Sequence, residues 1–271
     1  MKKSTKGYVK AAFTCTIVGA AFCIASLCMG FQPRQLQAMA ESGELNIAGP
    51  DSWQKNVEEA VTDITSEGSD FSAVFSDVKS LDLESGTAIC KLYLTDEEDW
   101  RVEARHVPSH FNAEKHGNTL EVECKSKRWG LFNWNFLRSN ESSTAPVIEI
   151  YIPRTVSLKE LSIEAGVGEV TMEDGPLTCR ELDVDCGVGT CTLDLDIQKK
   201  ADIECGVGEL NLNVVGSPED FNYDIECGVG EIEIDGTHHS GLGNEQTINN
   251  HASKSMDIEC GVGSVFIEFT E

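Results

Sequence analysis

The sequence predicts an all-β fold: a parallel β-solenoid with coils of about 20 residues, preceded by one transmembrane helix and a short helical linker. Three observations carry this expectation. A segment of the form Ile-Glu-Cys-Gly-Val-Gly recurs through the C-terminal half. Apolar and polar residues alternate on either side of it, which is the period of a strand with one buried face. The 21 residues from Ala11 to Phe31 carry no charge; at about 1.5 Å per residue, a helix of that length crosses a hydrocarbon core of roughly 30 Å.

Lys2, Lys3, Lys6 and Lys10 precede the apolar stretch and an acidic region follows it, so the positive-inside rule places residues 1–10 in the cytoplasm and everything after Phe31 outside. Two alternatives compete. Ala38-Met39-Ala40 has the small-x-small form of a signal-peptide cleavage site, but it lies nine residues beyond an apolar stretch that is long for a signal. Cys28 is a candidate for lipidation, but the bulky Leu27 precedes it. All three readings put the bulk of the chain outside the cytoplasm. Residues 32–75 form the linker. Gly49-Pro50-Asp51 reads as a turn and an N-cap, and Trp53, Val57, Ala60, Val61 and Ile64 share a helical face. That short amphipathic helix is expected to cap an open end of the β-structure.

The repeat domain occupies residues 76–271. Its five copies start at Ile163, Val184, Ile203, Ile225 and Ile258, spaced 21, 19, 22 and 33 residues apart. The longest gap contains a Gly-, His- and Asn-rich insertion from about Gly236 to His251. A degenerate copy spans Leu83 to Cys90. In the copy at Ile203, the alternation points Ile203, Cys205 and Val207 inward and Asp202, Glu204 and Gly206 outward; the phase then slips before Leu210 and Leu212. A bulge or a corner at Gly-Val-Gly accounts for the slip, and glycine is what a corner needs if its φ is positive. Stacking in register then sets like residues above one another at about 4.8 Å.

These features resemble a known family, the bacterial membrane-anchored candidate adhesins also called toast-rack domains. The resemblance rests on the lysine-led apolar helix, on Val147-Ile148-Glu149-Ile150-Tyr151-Ile152-Pro153 ahead of the first full copy, and on the Gly-Val-Gly corners; it covers about Val78 to Glu271. It implies the repeat fold and two roles, since some relatives are associated with cell-envelope stress signalling.

Composition narrows the partners. The formal charge is −25, and the first 40 residues hold five basic residues and no acidic ones, so residues 41–271 carry −30. Such a surface repels nucleic acid, whose binding depends on Lys and Arg, and attracts cations and basic polymers. Eleven cysteines occur without a single Cys-x-x-Cys pair. Cys186, Cys205, Cys227 and Cys260 repeat at one position, which Ala165 fills in the first copy, so a buried column of small side chains is expected.

Two acidic columns are the candidate metal residues. One holds Glu164, Asp185, Glu204, Glu226 and Glu259; the other holds Asp183, Asp202, Asp224 and Asp257. Carboxylates about 4.8 Å apart repel by roughly 1 kcal/mol per pair even in water, and a divalent cation such as Ca²⁺ shared between them relieves this. The alternative is a solvated acidic face. Trp129, Phe132, Trp134 and Phe136, flanked by Lys125, Lys127, Arg128 and Arg138, are either a partner contact or a hairpin capping the stack. His106/His110 and His238/His239 are weak metal pairs. No catalytic constellation and no bound cofactor are expected. The role expected is a non-enzymatic surface binding or adhesion module, with the membrane, an envelope protein or a cell-wall component as partner. The alternative is an envelope-stress sensor or regulator acting through a membrane partner.

Overall fold

The computed structural model describes residues 69–124, 145–239 and 243–270, all within one compact unit, Glu67–Glu271. The expected transmembrane helix (11–31), the linker helix and the aromatic residues 129–136 lie outside the described residues. Among the described residues no helix is long and apolar enough to cross a membrane.

The fold is all-β, as the alternation predicts. In chain order the strands are β1 (Ser69–Phe75), β2 (Ser80–Glu84), β3 (Ile89–Thr95), β4 (Trp100–Val107), β5 (Asn112–His116), β6 (Thr119–Glu123), β7 (Val147–Pro153), β8 (Leu158–Ala165) and β9 (Glu169–Met172). They continue as β10 (Leu177–Cys186), β11 (Thr190–Cys205), β12 (Glu209–Val215), β13 (Phe221–Cys227), β14 (Glu231–Ile234), β15 (Thr237–His238), β16 (Asn244–Ile248), β17 (Lys254–Cys260) and β18 (Ser264–Thr270). The sheet thus begins at Ser69, ahead of the expected boundary at residue 76.

Two parallel ladders organise these strands. The first runs β6, β2, β8, β10, the second half of β11, β17, β13. The second runs β7, β3, β9, the first half of β11, β12, β18, β14. Each layer is one strand from each ladder joined at a corner. Antiparallel strands flank the ends: β5 and β16 on the first ladder, β4, β1 and β15 on the second. Open parallel edges invite pairing with other chains, and these additions cover them.

The inward residues form continuous columns. Val122, Leu83, Ile163, Val184, Ile203, Ile258 and Ile225 follow one another on the first ladder, and all are at most 1% exposed. Opposite them on the second ladder are Ile148, Cys90, Val170, Cys191, Leu210, Val265 and Ile232, each fully buried. The core is the narrow space between the ladders, filled by small and β-branched side chains that suit a pleated surface.

Two features of the stack depart from the sequence reading. The layers do not follow chain order: β17, from the last repeat, lies between β11 and β13, so the last two copies exchange places. The long gap between those copies gives the chain length to pass over one layer and return, and β15 and β16 from that gap line the exposed edges of β14 and β13. There is also a layer that the sequence reading missed. Leu120-Glu121-Val122-Glu123-Cys124 repeats the inward–outward pattern on β6, and β7 is its second strand. In sequence, residues 125–146 separate its two halves, against three corner residues in the other layers, which hides the copy.

The corners also differ from expectation. No corner glycine of the five full copies has a left-handed φ. The glycines are required by space instead. A Cβ on Gly166, Gly187, Gly206 or Gly228 would fall 2.6–2.8 Å from a carbonyl oxygen of the adjacent layer, and on Gly168, Gly189, Gly208, Gly230 or Gly263 only 1.9–2.3 Å. The ladder runs unbroken through the turn because two successive amides donate to the same side: Gly187 N to Ala165 O and Val188 N to Gly166 O, both 2.8 Å, with the same pattern at Gly206 and Val207. That repetition is what shifts the phase. It also turns the central Val outward in three copies, where Val167, Val188 and Val229 are 59%, 55% and 66% exposed; Val207, expected inward, is half-buried, as is Val262.

Gly189→Ala is therefore expected to cost at least about 3 kcal/mol, since neither carbonyl nor corner can move away. Gly236→Ala has open space and only a left-handed φ of 75° to strain, so it is expected to cost about 1 kcal/mol. Urea denaturation of the two variants checks the difference.

Candidate functional site

The outward residues of the first ladder make the most unusual surface of the molecule. In spatial order one column reads Glu123, Glu84, Glu164, Asp185, Glu204, Glu259, Glu226, Glu245, eight carboxylates on eight adjacent strands. The next column reads Glu121, Asp82, Ser162, Asp183, Asp202, Asp257, Asp224, Thr247. All nine acidic residues singled out from the sequence fall in these columns. The layer exchange changes their adjacency: Glu204 neighbours Asp185 and Glu259, and Glu226 neighbours Glu259 and Glu245. Glu84, Glu123 and Glu245 extend the first column and were not anticipated. The signal for the first two was present, since Leu83-Glu84 and Val122-Glu123 repeat the Ile-Glu pair of the full copies.

The second ladder is different. Its corresponding column reads Glu169, Thr190, Glu209, Ser264, Glu231, so a hydroxyl separates each carboxylate from the next. Thr171, Thr192 and Asn211 follow in the adjacent column. At the far end Tyr151 stacks on Tyr93 at 5.2 Å, and the Arg101 guanidinium lies 4.1 Å from the Tyr151 ring centre.

The acidic columns are not uniform. Asp185 sits mid-column, and burial, then the charges of Glu204, Glu164 and Asp183, push its carboxyl up to about 7. Its Oδ1 is shielded from solvent and makes no hydrogen bond. Asp257 is raised by burial and by Asp202 and Asp224; Asp82 is raised by burial and by Glu84 and Glu121. One cation enters the second column's surroundings: Lys200 Nζ lies 2.8 Å from Asp202 Oδ2.

Behind the acids lies the cysteine column, buried as expected. The order is Cys186, Cys205, Cys260, Cys227, with exposures of 0–3%. The thiols do more than fill space. Each lies 3.2–3.4 Å from the carbonyl oxygen of the second corner glycine, three residues on, and donates to it. At Gly189, Gly208 and Gly263 that carbonyl also accepts a backbone amide of the adjacent layer, from Glu209, Ser264 and Glu231, so the thiol is its second donor. The eight cysteines among the described residues are buried thiols, none of them in a disulfide. The hydrogen-bonded neighbours Cys186 and Cys260, and then burial, hold the Cys205 thiol above the ordinary range, while the same hydrogen bonds with Cys205 lower Cys186 and Cys260.

Of the two histidine pairs, His106 is the penultimate residue of β4 and His110 lies in the turn beyond it; His238 and His239 turn to different partners. His238 is exposed on β15 beside Glu231 and Glu233, whereas His239 is 8% exposed with Nδ1 3.0 Å from Gln246 Oε1.

The Asp185 shift makes stability depend on pH. A carboxyl whose folded pKa is raised binds its proton more tightly folded than unfolded. The resulting stabilisation is complete below about 3.8 and is lost as the pH climbs through about 7. Lowering the pH from 8 to 5 should therefore raise the melting temperature, by a contribution on the order of 2 kcal/mol from this residue. Asp185→Asn should be more stable than the parent at pH 8 and show a flatter profile over that window. A scanning-calorimetry series in pH measures both.

Comparison with known proteins follows the same architecture. The family described as the N-terminal domain of toast_rack, DUF2154, matches residues 54–213 and again 180–235. No curated protein matches the chain. Among solved structures, a candidate cell adhesion protein from Clostridium sporogenes aligns at 18% identity and a TM-score of 0.50, covering 74% of this chain and all of that one. A candidate adhesin from Bacteroides fragilis aligns at 15% identity and a TM-score of 0.35, over 73% of this chain and 97% of that one. A candidate lipid-binding protein from Parabacteroides distasonis aligns at 14% identity and a TM-score of 0.27, over 75% of this chain and 98% of that one. The family match spans well over half of the sequence, including four of the five glycine corners, and the chain belongs to the toast-rack family.

Proposed function

We propose that this chain is a non-enzymatic surface binding module: a β-solenoid held outside the membrane by the apolar segment 11–31, whose acidic face engages cationic groups of a cell-wall component or an envelope protein. The observation that carries the reading is the contrast between the two ladders. The second ladder demonstrates that the fold accepts Thr, Ser and Asn at outward positions. Eight adjacent carboxylates on the first ladder are therefore not a requirement of the stack, and their mutual repulsion costs stability. A partner or counter-ion that neutralises them recovers that cost and gains affinity. The adhesion label of the structural relatives agrees with such a role. Divalent cations, Ca²⁺ among them, fit between neighbouring carboxylates and would bridge the face to anionic partners as well.

Millimolar Ca²⁺ is expected to raise the melting temperature of the full chain more than NaCl at matched ionic strength, since a ligand that binds only the folded state stabilises it. Replacing Glu204 and Glu259, which are neighbours, with Gln should abolish most of the excess. The same variant should retain less polylysine on immobilised protein at low salt. Equal effects of Ca²⁺ and NaCl, together with unchanged polylysine retention, would reduce the face to a solvated surface.

A further inference from the structure

We propose that Glu231, Glu233 and His238 form a binding site for a first-row transition-metal dication such as Zn²⁺. Glu231 and Glu233 project from the same face of β14, two residues apart. Asp235 and Gly236, with φ of 47° and 75°, make the tight turn that returns the chain as β15. The turn sets His238 directly opposite Glu233. The imidazole Nδ1 then lies 3.1 Å from Glu231 Oε1 and 3.4 Å from Glu233 Oε2, and the three ligand atoms are all within 4.8 Å of one another. Metal–ligand bonds of about 2.0–2.1 Å at tetrahedral angles separate ligand atoms by about 3.3 Å. The two short separations already match that edge, so the ion needs little rearrangement.

With the ring proton on Nε2, Nδ1 offers its lone pair between the two carboxylates, which is the form of imidazole that ligates a metal. An imidazole ligand favours zinc, copper or nickel over calcium and magnesium, which distinguishes this site from the all-carboxylate columns. The His238 side chain is 59% exposed, leaving the remaining coordination position open to water or to a side chain of a partner. The site lies where β15 borders the terminal layer, so metal would fasten the edge hairpin to the stack.

The full chain is titrated with ZnCl₂ by calorimetry at pH 7.5, with millimolar CaCl₂ present throughout to occupy the acidic face. One Zn²⁺ per chain is expected, weakened at least tenfold by His238→Ala and by Glu233→Gln. His116 provides the control: its Nε2 lies 3.4 Å and 3.8 Å from Glu114 and Glu121 on another hairpin, yet that set does not close into a cluster, and His116→Ala should leave the affinity unchanged. Circular dichroism confirms that each variant keeps its strands. Zn²⁺ affinity that survives His238→Ala, depends on His116, or is abolished by Ca²⁺ overturns the proposal.

Discussion

At the corners of the five full copies the backbones of successive layers meet with no room for a side-chain carbon, because a Cβ would lie 1.9–2.8 Å from the neighbouring carbonyl oxygen. This contact governs much else. It holds those corner positions to glycine. It also locks the register, since a slip of one residue would put a Cβ against the carbonyl and invert both faces. Locked register sets like on like. Inside, that produces uninterrupted apolar columns and a dry, narrow core. Outside, it produces uninterrupted carboxylates on the first ladder.

The exterior consequence is costly only where the sequence repeats an acid at the same place in each layer. On the second ladder Thr190 and Ser264 fall between carboxylates and keep them apart. On the first ladder no hydroxyl intervenes in the column that holds Asp185, whose neighbours on both sides are acidic and whose shielded Oδ1 receives no hydrogen bond from the protein. In the proposed function this face is one half of an interaction with positive charge rather than a solubilising coat.

Much of this was legible from residues alone. Strand alternation, five full copies and the burial of Cys205 follow from period and spacing, and the nine acids fall in the two columns that the spacing implied. What escaped detection was non-local. The β6/β7 layer is hidden because its corner is replaced by a long insertion, although Val122-Glu123-Cys124 keeps the pattern. The exchange of the last two layers is invisible to any repeat comparison, since Ile225 and Ile258 begin nearly identical segments and either could stack on Ile203. The direction of the corner Val depended on two consecutive amides donating to one side, a backbone detail that the alternation of side chains does not encode. His238 separated from His239, and joined Glu231 and Glu233, only because a two-residue turn fixed the hairpin register.

The layer exchange is the most consequential of these, because it places the C-terminal repeat inside the stack with partners on both sides. Hydrogen exchange of backbone amides tests it directly. The amides of Asp257–Glu259 and Val265–Ile267 are expected among the slowest in the molecule, opening only with global unfolding. Exchange in those segments at the rate of a frayed edge, faster than in β13 and β14, would mean that the repeats stack in chain order and would contradict the architecture.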